Sequence, residues 1–226
     1  IDHYREADLS LFVDGVNHLQ ATPLKVDAEM VSLQRTAWEN GIDGLFPCGR
    51  APMEVPERLG DSPTAEELRV RNRMAAMAHR DREQNRVRRV RIERALQMAE
   101  ELAGRTVWQA YHADHRGRIY TGNKYCTHQG PDTEKSLLSF EQQTKTNDDG
   151  IAWILKAAAG HWGMSRQHWN ERLRWGEKAK DAMVAAAEDP LGRLELWRGA
   201  KDPWQFLQMC RGLKEALETG STGVPI

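Results

Sequence analysis

No stretch of this 226-residue chain is long and apolar enough to cross a bilayer as a helix. Residues 151–155 are among its longest apolar runs, whereas a span needs roughly 20 residues. No signal-peptide pattern opens the sequence. Cysteine is scarce: Cys48, Cys126 and Cys210 are far apart, odd in number, and form no Cys-x-x-Cys pair. That excludes a disulfide framework and a zinc ribbon, and fits reduced thiols in a cytosolic type of compartment. Internal repeats and low-complexity tracts are absent. Net charge is almost absent too, at −1, with a hydrophobic fraction of 40% and a charged fraction of 29%. Such a composition excludes bulk disorder and fits a folded, water-soluble chain. A first residue of Ile rather than Met is expected of a piece cut from a longer protein.

The small net charge hides segregation. Residues 1–60 hold ten acids against five bases, and residues 61–68 add three acids and no base. Residues 69–94 then hold ten arginines against three acids. The remainder is nearly balanced. A local cationic block in a neutral chain is the usual electrostatic footprint of a polyanion partner. The plainer reading is a solvated helix face whose counter-charges come from the acidic N-terminal residues.

Hydrophobic spacing predicts a helix over residues 6–20 and a second over 27–40, capped by Asp27. Residues 41–63 mix glycine with Pro47, Pro52, Pro56 and Pro63, and read as a linker or irregular loop. Thr64 and Glu67 form a capping-box pattern. From there to Ala103 there is neither Gly nor Pro. Those residues could make a helix about 60 Å long. Its middle, residues 79–86, has no apolar residue, so it should project or lie against a charged partner, with a bend allowed there. Residues 106–111 and 118–122 read as short strands joined through Asp114–Gly117. Three helices follow, one beginning near Asp149, one over 165–188, and one over 202–218 with Pro203 at its first position. The expected fold is mainly α, with a small β-hairpin.

Asp114-His115-Arg116-Gly117-Arg118-Ile119-Tyr120 is the strongest local motif. Glycine admits unusual backbone angles and close approach. Arginine offers a fixed fork for phosphates or base edges. Asp114 could orient one guanidinium and leave the other free, or the pair could simply tie down a tight turn. His112, Asp114 and His115 have ligand chemistry, but no fourth ligand is in view. The tryptophans are mostly on apolar helix faces, and Trp153, Trp162, Trp169 and Trp204 are expected in the core.

Farther on come Gln129-Gly130-Pro131-Asp132, then Lys135-Ser136-Leu137-Leu138, and later Asp202-Pro203-Trp204-Gln205-Phe206-Leu207. In this order the chain resembles the phage- and mitochondrial-type single-subunit DNA-directed RNA polymerases. The resemblance covers residues 64–226, and residues 1–63 more weakly. It implies template-directed RNA synthesis with Mg²⁺ and ribonucleoside triphosphates in the full-length protein. It divides the chain into 1–63, the end of an N-terminal domain with its linker; 64–104, a thumb-like basic helix; and 105–226, the first part of a palm. By motif match Arg116, Gly117 and Arg118 inherit contact with template DNA and the RNA–DNA hybrid, with Gln129 and Lys135 in supporting roles. Arg82, Arg86 and Arg89 of the basic helix are expected to grip the same hybrid. Asp114, Tyr120 and Trp204 are expected to give structural support. No residue of this portion is expected to be catalytic or to bind metal, because the family's aspartate motifs would lie beyond it. The implied place of action is the cytoplasm of a bacterium or phage-infected host, ahead of a mitochondrion.

The sequence departs from the family at Gln109-Ala110, where Phe-Pro is usual, and at Thr127-His128, where Asn-Pro is common. Two other readings stay open: a non-enzymatic helical module that binds nucleic acid through residues 69–94, and a helical interaction protein whose basic helix pairs with the acidic N-terminal residues.

Overall fold

The computed structural model describes residues 8–46, 53–60 and 62–225. The readings at Pro47, Cys48 and Pro52, and at the first two residues of the N-terminal helix, lie outside them. Helix α1 spans Ser10–Ala21 and strand β1 Leu24–Val26. Helix α2 spans Ala28–Glu39, and Asp27 caps it by accepting the backbone N–H groups of Glu29 and Met30. Helix α3 runs unbroken over Ala65–Leu102. Its capping box forms as the sequence predicts, with the Thr64 hydroxyl accepting the Glu67 N–H and the Glu67 carboxylate accepting the Thr64 N–H. No bend interrupts its charged middle.

The strand expected over residues 106–111 divides in two. Strand β2, Thr106–Val107, pairs with β1, whose other edge takes β5, Leu138–Phe140, so that β2-β1-β5 form one antiparallel sheet. Strand β3, Tyr111–Ala113, pairs separately with β4, Ile119–Thr121, with His112 opposite Tyr120. The cause is Gln109, which is buried and donates its side-chain amide to the Cys126 carbonyl, breaking the alternation. A short helix α4, Asp132–Lys135, leads into β5.

Strand β6, Thr144–Lys145, precedes α5, Asp148–Ala159, capped by the Asn147 side chain. A wider π-turn over Gly160–Met164 follows, ending where Gly163 takes φ 128°. Then come α6, Trp169–Glu188, and α7, Pro203–Thr219, and the last strand β7, Ser221–Thr222, pairs with β6. Helices α5, α6 and α7 pack around Ile154, Leu155, Met183, Phe206, Leu207 and Leu213. Gly176 lets α6 touch α5: a Cβ there would sit 2.7 Å from the Leu155 Cβ. Trp204 is fully buried, packs at a tilt against Phe46 and Trp197, and donates its indole N–H to the Leu45 carbonyl at 2.9 Å. It therefore joins the three-helix core to the chain leaving α2. The fold is mainly α with small antiparallel pairs, as the sequence predicts.

The C-terminal third of α3 enters this core through Ile92, Leu96 and Ala99, and Ala78 is buried farther toward its N-terminus. At its root Arg35 of α2 forks between Glu93 at 3.0 Å and Glu100 at 2.6 Å. Trp38 donates its indole N–H to Glu93 at 2.7 Å. Beyond the root the helix projects. Residues 53–60 contact its N-terminal half, with Met53 donating its N–H to Asp81 and Arg71 donating to the Glu57 carbonyl.

Candidate nucleic-acid interface

The β3–β4 turn is organised by one carboxylate. Asp114 Oδ1 accepts the backbone N–H groups of Arg116 at 2.9 Å and Arg118 at 3.0 Å. Its Oδ2 accepts Arg116 Nε at 3.1 Å and a terminal guanidinium N–H at 2.9 Å. The Tyr120 hydroxyl lies 3.4 Å from the same oxygen, with its ring stacked on His112. These donors, the Arg118 N–H foremost, hold the Asp114 carboxyl below its ordinary range. Gly117 has φ 77°, in the left-handed region that side chains avoid, so the turn itself demands glycine. Space above it is open. Arg116 is thus tied down, while Arg118 gives Asp114 only its backbone. The Arg118 guanidinium is exposed and meets no acceptor among the described residues.

Gln129 supports this turn from outside. Its side-chain carbonyl accepts the Thr121 N–H at 3.0 Å, and its amide donates to the Ile119 carbonyl at 3.1 Å. Both ends of the side chain are spent on the free edge of β4, making Gln129 a positioning residue for the hairpin. Next to it Gly130 leaves room for Glu134, whose carboxylate would stand 2.7 Å from a Cβ at that position. Glu134 is buried, accepts both Arg91 Nε at 3.0 Å and a terminal N–H at 2.8 Å through Oε1, and leaves Oε2 without a hydrogen bond. Burial pushes its carboxyl above the ordinary range, against the pull of Arg91. A groove of about 470 Å³ runs here between α3 and residues 129–134, with Arg88, Arg91 and Gln129 on its walls. Lys135 is half-buried at the end of α4, and its charge helps hold His128 and His161 below the usual histidine range, where burial is the main cause.

The arginines of α3 divide differently from the sequence reading. Arg86 is engaged by Glu83, at 2.7 Å and 2.9 Å. Arg89 lies over the Trp38 ring, 4.8 Å from its centroid, so it packs against α2. Arg82 is exposed. Another row shares one helix face: Arg69, Arg73, Arg80 and Arg94, all exposed, with Arg91 on the same face but drawn onto the buried Glu134. Arg73, Arg80 and Arg94 meet no acid among the described residues. This row was legible from its phase, opposite the positions of Ile92, Leu96 and Ala99. The acids of residues 1–60 do not neutralise α3 among the described residues. The observed pairing is the reverse, with an arginine of α2 bound to glutamates of α3.

Two expected core residues are not in the core. Trp153 is 46% and Trp169 49% exposed, although Trp162 is half-buried and Trp204 is fully enclosed. Among the described residues no group of three or more His, Cys, Asp or Glu is placed to hold a metal ion. The nearest candidates are committed otherwise: Asp132 accepts three N–H donors from Trp204 and Gln205, and Glu134 takes Arg91. The carboxylates here do not fit a Mg²⁺ site. No helix among the described residues is long and apolar enough to cross a membrane.

A family model described as DNA-dependent RNA polymerase matches residues 144–223. The mitochondrial DNA-directed RNA polymerase of Homo sapiens is 28% identical over 173 residues, which is 76% of this chain and 14% of that protein. The DNA-directed RNA polymerase of Enterobacteria phage K11 is 28% identical over 211 residues, 92% of this chain and 23% of that one. T7 RNA polymerase of Escherichia phage T7 is 24% identical over 212 residues, 92% and 24% respectively. The chain therefore spans less than a quarter of the length of these relatives.

Proposed function

We propose that this chain, a relative of the phage- and mitochondrial-type single-subunit DNA-directed RNA polymerases that matches a portion of them, is the part of such an enzyme that grips template DNA and the RNA–DNA hybrid. The whole protein would carry out template-directed RNA synthesis from ribonucleoside triphosphates. Residues 1–63 end an N-terminal domain, residues 64–104 form a thumb, and residues 105–226 begin a palm. Mg²⁺ would be held by carboxylates other than those of this portion, and would supply charge neutralisation at the transferred phosphoryl group. This portion contributes position. Arg118 presents a planar fork to phosphate oxygens, Asp114 fixes the turn that carries it, and Gln129 fixes the strand behind it. The exposed arginines of α3 add a second, sequence-independent hold along the same polynucleotide. Lys135 adds charge at the end of α4. Relatives include mitochondrial, chloroplastic and phage enzymes, and a bacterial or phage-infected cytoplasm is our reading for this one.

The observation that carries this reading is the asymmetry at Asp114, which consumes the Arg116 guanidinium and leaves that of Arg118 without an acceptor among the described residues. In the full-length enzyme, Arg118→Ala should weaken the hold on the hybrid and raise abortive release, with nucleotide affinity little changed. Arg118→Lys, which keeps charge but loses the fork, should fall short of full recovery, at about 1–3 kcal/mol per lost contact. Normal processivity in the Ala variant would remove Arg118 from the interface.

A further inference from the structure

Trp153 and Trp169 form an edge-to-face pair on the surface of α5 and α6, with ring centroids 5.3 Å apart. Each has a cation over it: Lys156 Nζ lies 4.2 Å from the Trp153 centroid and Arg172 Cζ 4.3 Å from that of Trp169. Arg172 donates from Nε at 2.9 Å and from a terminal nitrogen at 2.6 Å to the Lys156 carbonyl, fastening one helix to the other beneath the rings. Two tryptophans nearly half exposed are costly to leave in water, and each keeps a ring face other than the one its cation covers.

Charge identifies the occupant. Residues 156–180 carry six Lys or Arg against two Glu, a second cationic stretch inside a balanced C-terminal half. An apolar protein partner would not call for these cations, whereas a polynucleotide calls for both cations and exposed rings.

We propose that this α5–α6 surface is a second polynucleotide contact, on which Trp153 and Trp169 stack unpaired bases of a single strand while Lys156 and Arg166 meet its phosphates. Duplex bases, already stacked on one another, offer the rings nothing. None of its residues belongs to the hairpin or to the α3 face described above.

The test uses the full chain at low salt and an oligodeoxyuridine carrying 5-iodouridine. Photocrosslinks should map to Trp153 or Trp169, and a duplex of the same length should give none there. Trp169→Ala should weaken single-strand binding about fivefold or more, and Trp169→Phe should restore most of it. Lys156→Glu, which touches the charge but deletes no core group, should weaken binding as well. Arg118→Ala should leave the crosslink unchanged, which separates this site from the hairpin. Crosslinks at neither tryptophan, equal labelling by duplex, or unchanged affinity in Trp169→Ala would each overturn the proposal. So would protection of both tryptophans from oxidation in a longer polypeptide without nucleic acid, which would make the patch a protein–protein surface.

Discussion

Asp132 Oδ2 accepts the backbone N–H of Trp204 at 2.9 Å, so the first residue of α4 caps a helix that begins about seventy positions later. Its Oδ1 takes the Gln205 N–H at 2.9 Å and the Gln205 side-chain amide at 3.1 Å. Pro203 stands at the first helical position, where no N–H is needed. Two of the recognisable motifs are thereby one structural unit. The Gln-Gly-Pro-Asp loop supplies the anion, and the Pro-Trp-Gln helix start supplies the donors and the positive end of its dipole.

Removal of that anion should be expensive. In Asp132→Ala the N–H groups of Trp204 and Gln205 lose their acceptor beside a fully buried tryptophan. The expected loss is about 2–4 kcal/mol. Asp132→Asn keeps one acceptor oxygen and should lose about half as much. Urea midpoints of the two variants check both values. Equal midpoints for wild type and Asp132→Ala would mean that α7 starts without this cap.

Glu134 should make stability fall as pH rises. Its carboxyl is raised above the ordinary 4.5 chiefly by burial, so the folded chain binds that proton more tightly than the unfolded chain. The contribution is therefore fully present below 4.5 and is lost as pH climbs through the folded-state value. Glu134→Gln should flatten the pH profile of the urea midpoint above 4.5. Arg91→Met, which strips the buried carboxylate of its cation, should steepen it. A Glu134→Gln profile that parallels wild type would assign the slope to another group.

Much of this was readable in advance, for physical reasons. Thr64, Glu67 and the absence of Gly and Pro up to Ala103 fix α3 locally, so its observed limits of Ala65–Leu102 match the expectation closely. The turn at Asp114–Gly117 was legible because its acid, arginines and glycine are neighbours in sequence. Strands β1, β5, β6 and β7 were not, because each has two or three residues and pairs with a distant one. The spending of Gln129 on β4 and of Arg89 on Trp38 was equally hidden, because both partners are set by tertiary packing. Trp153 and Trp169 misled for the opposite reason. Their spacing puts them near an apolar stripe, but Gly176 brings α5 and α6 too close for either ring to enter the seam.

The root of α3 should depend on Arg35 more than surface ion pairs usually allow. Its side chain is largely covered, and one fork spans Glu93 and Glu100, two turns apart on the helix. Arg35→Met keeps the stem but leaves both acids without that partner, at an expected cost of about 1–3 kcal/mol. Hydrogen exchange over residues 89–102 is the sharper readout. It should quicken there, with little change in α6 and α7. Uniform quickening across the chain would indicate a general loss of stability instead of a loosened root.

The free face of α3 should govern the salt dependence of polynucleotide binding. Arg73, Arg80 and Arg94 lie on one face and meet no acid among the described residues, whereas Arg86 is held by Glu83 and Arg89 by Trp38. From Arg73 to Arg94 the helix advances about 32 Å, close to one turn of a duplex. Three contacted phosphates would contribute roughly 2–3 to the slope of log K against log salt. Replacing Arg73, Arg80 and Arg94 together by Ala should remove about that much of the slope. Replacing Arg82, Arg86 and Arg89 should remove less, because two of the three already have partners. Arg89→Ala should instead lower stability, since it uncovers the Trp38 ring. Binding titrations at several salt concentrations compare the two sets directly. Equal slopes for the two triple variants would show that phase on the helix does not decide which arginines meet the phosphates.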